Sequence, residues 1–101
     1  MLFRSGRPRL FVDRVFTIAG AGTVVTGTLE GAELSRGHDI TVARTGRIVR
    51  IRDIQTHGAS VDAGTPGTRC AVNVTGSGAD DIRRGDALVP AGAWQIGRAH
   101  V

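Results

Sequence analysis

The stretch Phe11-Val12-Asp13-Arg14-Val15-Phe16-Thr17-Ile18-Ala19-Gly20-Ala21-Gly22-Thr23-Val24-Val25-Thr26-Gly27-Thr28-Leu29 decides the fold. Its halves are rich in β-branched and aromatic residues, and Thr23, Val24, Val25 and Thr26 hold the chain extended because branched side chains restrict rotation. Between the halves, Gly20-Ala21-Gly22 reads as the turn of a hairpin, since glycine reaches backbone conformations closed to other residues. It does not start a dinucleotide fingerprint, because the third glycine is missing at the required spacing and no helical pattern follows. Gly27 extends a strip of backbone without side chains, where a second backbone or a ligand can approach closely; barrel corners use glycine in the same way.

Working outward, no window shows apolar residues recurring at helical spacing, because Gly, Thr and Val interrupt each one. Short strands are expected at 9–16, 22–30, 39–43, 47–55, 69–75 and 87–89, each bounded by glycine or polar turn residues. So many short strands in so short a chain predict an all-β fold, a small closed antiparallel β-barrel of six or seven strands. Cys70, Val72 and Val74 alternate as a core-facing row. Two turns echo each other, Ser35-Arg36-Gly37-His38-Asp39 and Arg83-Arg84-Gly85-Asp86, with glycine supplying positive φ and aspartate expected to cap the turn.

A chain of 101 residues, 41% hydrophobic and 22% charged, fits one ordinary globular domain and neither a disordered nor a membrane-spanning class. No apolar run approaches the roughly 20 residues of a membrane helix, no signal peptide follows Met1, and a cytoplasmic, monomeric, membrane-free protein is expected. The lone Cys70 sits in an apolar run and reads as a buried structural thiol. All 13 basic residues are arginine, and the net charge of +4 favours a polyanionic partner. Without lysine there is no phosphate-binding Gly-Lys-Ser/Thr loop. His38, His57 and His100 are too scattered for a metal site. No catalytic residue, metal or cofactor is assigned to the chain, which reads as a binder rather than an enzyme.

The hairpin resembles the start of the second domain of translational GTPases, the β-barrel that follows the nucleotide-binding domain in elongation factor Tu and its relatives. Within that superfamily it is most similar to the selenocysteine-specific elongation factors. Supporting stretches are Val49-Arg50-Ile51-Arg52-Asp53-Ile54-Gln55-Thr56-His57-Gly58, Gly67-Thr68-Arg69-Cys70-Ala71-Val72-Asn73-Val74 and Ile82-Arg83-Arg84-Gly85-Asp86. The resemblance covers residues 8–90. It divides the chain into a leader or linker (1–8), the barrel (9–90), and a final segment (91–101) that is a linker, the truncated start of a next domain or a cloning remnant.

The resemblance implies that the barrel holds the aminoacylated 3′ end of selenocysteinyl-tRNA. Val24 and Thr26 would flank the terminal ribose and base, with Gln55 and His57 on a loop beside the adenosine. Gln55 stands where elongation factor Tu has an acidic residue, and Gly58 where it has a basic one. Asp13, Arg14 and Arg69 match the aminoacyl pocket, and a cationic pocket favours an anionic selenolate over a neutral serine hydroxyl. Neighbours on a strand point to opposite faces, so Asp13 and Arg14 can share a pocket only if a bulge or strand end intervenes. Implied partners are the adjacent GTPase and third domains and the ribosome, with GTP and Mg belonging to the nucleotide-binding domain. Two rival readings are an interdomain spacer, as in a sulfate-activating GTPase, and a basic protein- or oligonucleotide-binding barrel.

Overall fold

A computed structural model describes residues 7–18, 22–76 and 79–90. The tip of the first hairpin, most of the expected leader, the segment 91–101 and His100 lie outside the described residues. Among the described residues nine strands form in chain order: β1 (Arg9–Ile18), β2 (Gly22–Glu30), β3 (Leu34–Ser35), β4 (Asp39–Val42), β5 (Ile48–Thr56), β6 (Ala59–Val61), β7 (Ala63–Gly64), β8 (Arg69–Thr75) and β9 (Ala87–Pro90). The order β4-β9-β1-β2-β8-β5 closes on itself through a β4–β5 pairing, giving a six-stranded antiparallel barrel. β6 continues along β5 where β4 leaves off, and β3 pairs with β7 in a separate two-stranded ribbon. No described helix is long and apolar enough to cross a membrane.

The six barrel strands are those expected from sequence. β3, β6 and β7, of two or three residues each, are too short to carry a periodic signal. β6 follows a two-residue turn in which His57 (φ 54°) and Gly58 (φ 79°) are both left-handed, the backbone that matches the twist of a tight hairpin.

Alternate residues fill the barrel. Val72 pairs with Val25 on one side and Ile54 on the other, and all three are fully buried together with Leu10, Leu29, Ile51 and Leu88. Cys70 is buried in the same core. Gly27 also faces inward, and a Cβ there would lie 1.9 Å from the Phe11 carbonyl oxygen. The backbone that approaches Gly27 is therefore β1 of the same barrel, not a ligand.

Two bulges shape the outer surface. In β1 the register slips between Val12 and Arg14, and in β5 between Ile51 and Asp53. Each lies where a glycine turn docks. Gly85 N donates to Val12 O and Val12 N to Asp86 O, both at 2.8 Å; Gly37 N donates to Ile51 O (2.8 Å) and Ile51 N to His38 O (2.9 Å). Both glycines have positive φ, 95° and 88°. The aspartates diverge. Asp86 caps its turn by accepting from Arg83 N at 2.8 Å, whereas Asp39 accepts from Arg50 Nε at 3.1 Å, which corrects the expectation that both are caps. The buried Asp86 also takes two hydrogen bonds from Arg44, at 2.7 and 3.0 Å, tying the β4–β5 loop to the start of β9.

Candidate functional site

Residues paired across an antiparallel sheet project from the same face, so the register arranges the outer side chains of β1, β2, β8 and β5 in rows. One row runs Phe16, Val24, Asn73, Asp53 and the next Arg14, Thr26, Ala71, Gln55. A third places Arg69 beside Thr28. Ala71, with only a methyl group, leaves a depression between longer neighbours. Thr26, Gln55, His57 and Arg69 line a cavity of about 170 Å³ on one side of it. Ile18, Val24, Asp53 and Asn73 line one of about 220 Å³ on the other, and Gln55 and Ala71 border both.

The β1 bulge resolves the parity problem posed by Asp13 and Arg14. Val12 and Val15 pair with Gly27 and Val25 on the inner face; the extra residue between them lets Asp13 and Arg14 both project outward, as two bulged residues opposing one do. Asp13 Oδ1 accepts from Thr26 Oγ1 at 3.1 Å and from Arg69 Nη2 at 2.8 Å, and Asp13 Oδ2 accepts from Arg69 Nη1. This fork on a carboxylate fixes the plane of the guanidinium. The Arg69 hydrogen bonds, aided by Thr26 and the charges of Arg69 and Arg14, hold the Asp13 pKa down to about 2, and Asp13 raises that of Arg69. Arg14 is exposed and has no ion pair among the described residues. The trio therefore carries two positive charges and one negative, with the outer edge of Arg69 and all of Arg14 available to an anion.

All seven residues singled out from sequence, Asp13, Arg14, Val24, Thr26, Gln55, His57 and Arg69, lie on this face. Sequence reasoning passed over Ala71 and Asn73, although the alternation that buries Cys70, Val72 and Val74 turns these two outward. It also passed over Asp53 and Ile18, whose places depend on the second bulge and on the length of β1. No group of His, Cys, Asp and Glu among the described residues could hold a metal ion.

A closed six-stranded barrel with paired bulges and this charged outer face defines a translation-factor barrel domain. The chain belongs to the elongation factor Tu domain 2 family, whose model matches residues 22–89. It is closely related to the selenocysteine-specific elongation factor of Desulfomicrobium baculatum, 37% identical over 99 residues, covering 92% of this chain and 16% of that protein. Elongation factor 1-alpha of Pyrobaculum islandicum is 39% identical over 80 residues, 79% of this chain and 18% of its own length. Among solved structures, apo SelB from Methanococcus maripaludis superposes with a TM-score of 0.79 at 30% identity, covering 89% of this chain and 20% of that one. A bacterial selenocysteine-specific factor, EF-Sec, superposes with 0.75 at 33% identity, covering 84% and 15%. The chain thus spans a fifth or less of the length of these relatives.

Proposed function

We propose that this barrel binds the aminoacylated 3′ end of selenocysteinyl-tRNA for a selenocysteine-specific elongation factor. The nucleotide, its Mg ion and GTP hydrolysis belong to a separate domain of that factor; this chain binds and does no chemistry, alongside the GTPase and third domains and the ribosome. The observation that carries the reading is the Asp13–Arg69 pair with Arg14 beside it, at the edge of a surface with two adjoining cavities. Val24 and Thr26 supply walls for a splayed nucleotide, and Gln55 and His57 supply hydrogen-bonding groups, the usual means of holding single-stranded ends. The 170 Å³ cavity, bordered by Arg69, takes the ribose end that carries the amino acid. The larger cavity takes the base. Arg14 and the outer edge of Arg69 then meet the side chain, where a selenolate gains charge-assisted hydrogen bonds that a serine hydroxyl does not.

The test is the affinity ratio of the complete factor for selenocysteinyl-tRNA over seryl-tRNA across a salt series. Arg69→Ala is expected to weaken selenocysteinyl-tRNA binding by roughly one to two orders of magnitude and to leave seryl-tRNA almost unchanged. It also strips Asp13 of its partner and leaves a bare carboxylate near the anion. Arg14→Ala lowers the ratio as well. Uniformly weaker binding of both tRNAs, with a salt slope reduced by about one, would make these arginines phosphate contacts and sink the amino-acid assignment.

A further inference from the structure

Asp86 is the only buried charged side chain among the described residues, and it touches neither cavity of the outer face. A carboxylate is costly to bury unless charge and hydrogen bonds compensate it. Here both oxygens are taken. Oδ1 accepts from Arg44 Nε at 2.7 Å, and Oδ2 accepts from Arg44 Nη2 at 3.0 Å and from Arg83 N at 2.8 Å. Arg44 Nη2 also donates to Asp81 O at 2.5 Å. One arginine of the β4–β5 loop therefore pins both ends of the segment that carries the Gly85 turn.

A turn of this form does not need such a carboxylate. The Gly37 turn grips Ile51 through the same two backbone bonds by which the Gly85 turn grips Val12, yet its Asp39 is exposed and pairs with Arg50 outside the turn. What differs is the bulge that each turn holds. Beyond Ile51 the extra residue presents Arg52 and Asp53; beyond Val12 it presents Asp13 and Arg14. Val12 N donates to Asp86 O at 2.8 Å, so the residue that Arg44 anchors by its side chain is the one that holds Val12 by its backbone. Val12 is one peptide unit from Asp13, whose carboxylate sets the plane of the Arg69 guanidinium. We infer that Asp86, anchored by Arg44, is a positioning residue for amino-acid selection: it fixes Val12 and thereby aims Asp13, Arg14 and Arg69. This rests on the reading that those three meet the amino acid, and extends that site to a pair that touches no part of the tRNA.

The experiment measures the affinity ratio of the complete factor for selenocysteinyl-tRNA over seryl-tRNA in four variants. Asp86→Ala is expected to lower the ratio about three- to tenfold, less than loss of Arg69 itself, because the pocket groups remain but are loosely held. Seryl-tRNA binding stays within about twofold of the wild type, since its contacts to the shared 3′ end are untouched. Arg44→Ala lowers the ratio in the same way and decides the matter alone if Asp86→Ala does not fold. Asp86→Asn, which keeps an acceptor for Arg83 N, retains more of the ratio than Asp86→Ala. Gly37→Ala weakens the fold at the sister turn and is expected to leave the ratio unchanged, which separates positioning from a general loss of stability. A wild-type ratio in Asp86→Ala or, where that variant does not fold, in Arg44→Ala overturns the inference, as does an equal fall in Gly37→Ala. Arg69→Ala measured alongside tells the two readings apart. If it collapses the ratio while the Asp86 and Arg44 variants do not, only the positioning role is lost; if it too leaves the ratio unchanged, the amino-acid reading falls and takes the inference with it.

Discussion

Arg69 clasps Asp13 with both terminal nitrogens, across 56 residues of sequence. The contact joins the bulge of β1 to the first residue of β8 and crosses β2, whose Thr26 donates to the same carboxylate. Asp13 therefore sets the orientation of Arg69 and cancels part of its field. Replacing Asp13 with asparagine raises the net charge of the face by one and frees the guanidinium to turn. In the complete factor, Asp13→Asn is expected to steepen the salt dependence of tRNA binding and to lower the selenocysteinyl-to-seryl ratio, by roughly tenfold for the loss of one oriented charge-assisted contact. Filter binding of both tRNAs at several salt concentrations measures this. An unchanged ratio would mean that the orientation of Arg69 is immaterial.

Val72 sits at the centre of the barrel with no exposed surface, between Val25 and Ile54. A charge there has no partner. Val72→Asp is expected to unfold the chain, because the penalty of several kcal/mol is comparable to the roughly 5 to 15 kcal/mol that holds a domain together. Circular dichroism and a thermal melt check it; a cooperative transition near that of the wild type contradicts the face assignment.

Gly27 and Gly37 separate two reasons for needing glycine. At Gly27 a Cβ would lie 1.9 Å from the Phe11 carbonyl oxygen, whereas at Gly37 it would meet nothing within 4 Å but must adopt φ +88°. Gly27→Ala drives a methyl group into backbone that cannot yield without opening β1 from β2, and a loss of about 3 kcal/mol or more is expected. Gly37→Ala is expected to cost only about 1 to 2 kcal/mol, the price of a left-handed alanine. Urea denaturation of the two variants should rank them in that order.

Acid should loosen the barrel at two points. Hydrogen bonds from Arg44 lower the pKa of Asp86, opposed by its burial, and the Arg69 pairing brings Asp13 to about 2. A carboxylate whose pKa is lower folded than unfolded contributes stability that is fully present above its unfolded value and is lost as pH falls through the folded one. Stability should hold from neutrality down to about pH 4 and decline towards pH 2, the interval between the ordinary aspartate value and that of Asp13. Asp86→Asn should lower neutral-pH stability by about 2 kcal/mol, since Arg44 loses its charged acceptor, and flatten the acid response. Urea midpoints at neutral pH and at two acidic values test both statements. An acid response as steep in the variant as in the wild type would exclude Asp86.

By itself the sequence determined which segments are extended and which side of most strands faces inward, because both follow from short-range preferences. Branched residues keep a strand straight, alternation at Cys70, Val72 and Val74 marks the core, and Gly37 and Gly85 mark turns. It also set the seven candidate site residues, though through resemblance rather than spacing. Only the tertiary structure decided which of them meet. Asp13 and Arg14 share a face because the register slips once, between Val12 and Arg14, where the Gly85 turn docks on Val12. The β1–β2, β2–β8 and β8–β5 pairings bring Arg69 to Asp13 and set Asn73 beside Asp53, so the charge balance of the face arises from contacts between residues far apart in the chain.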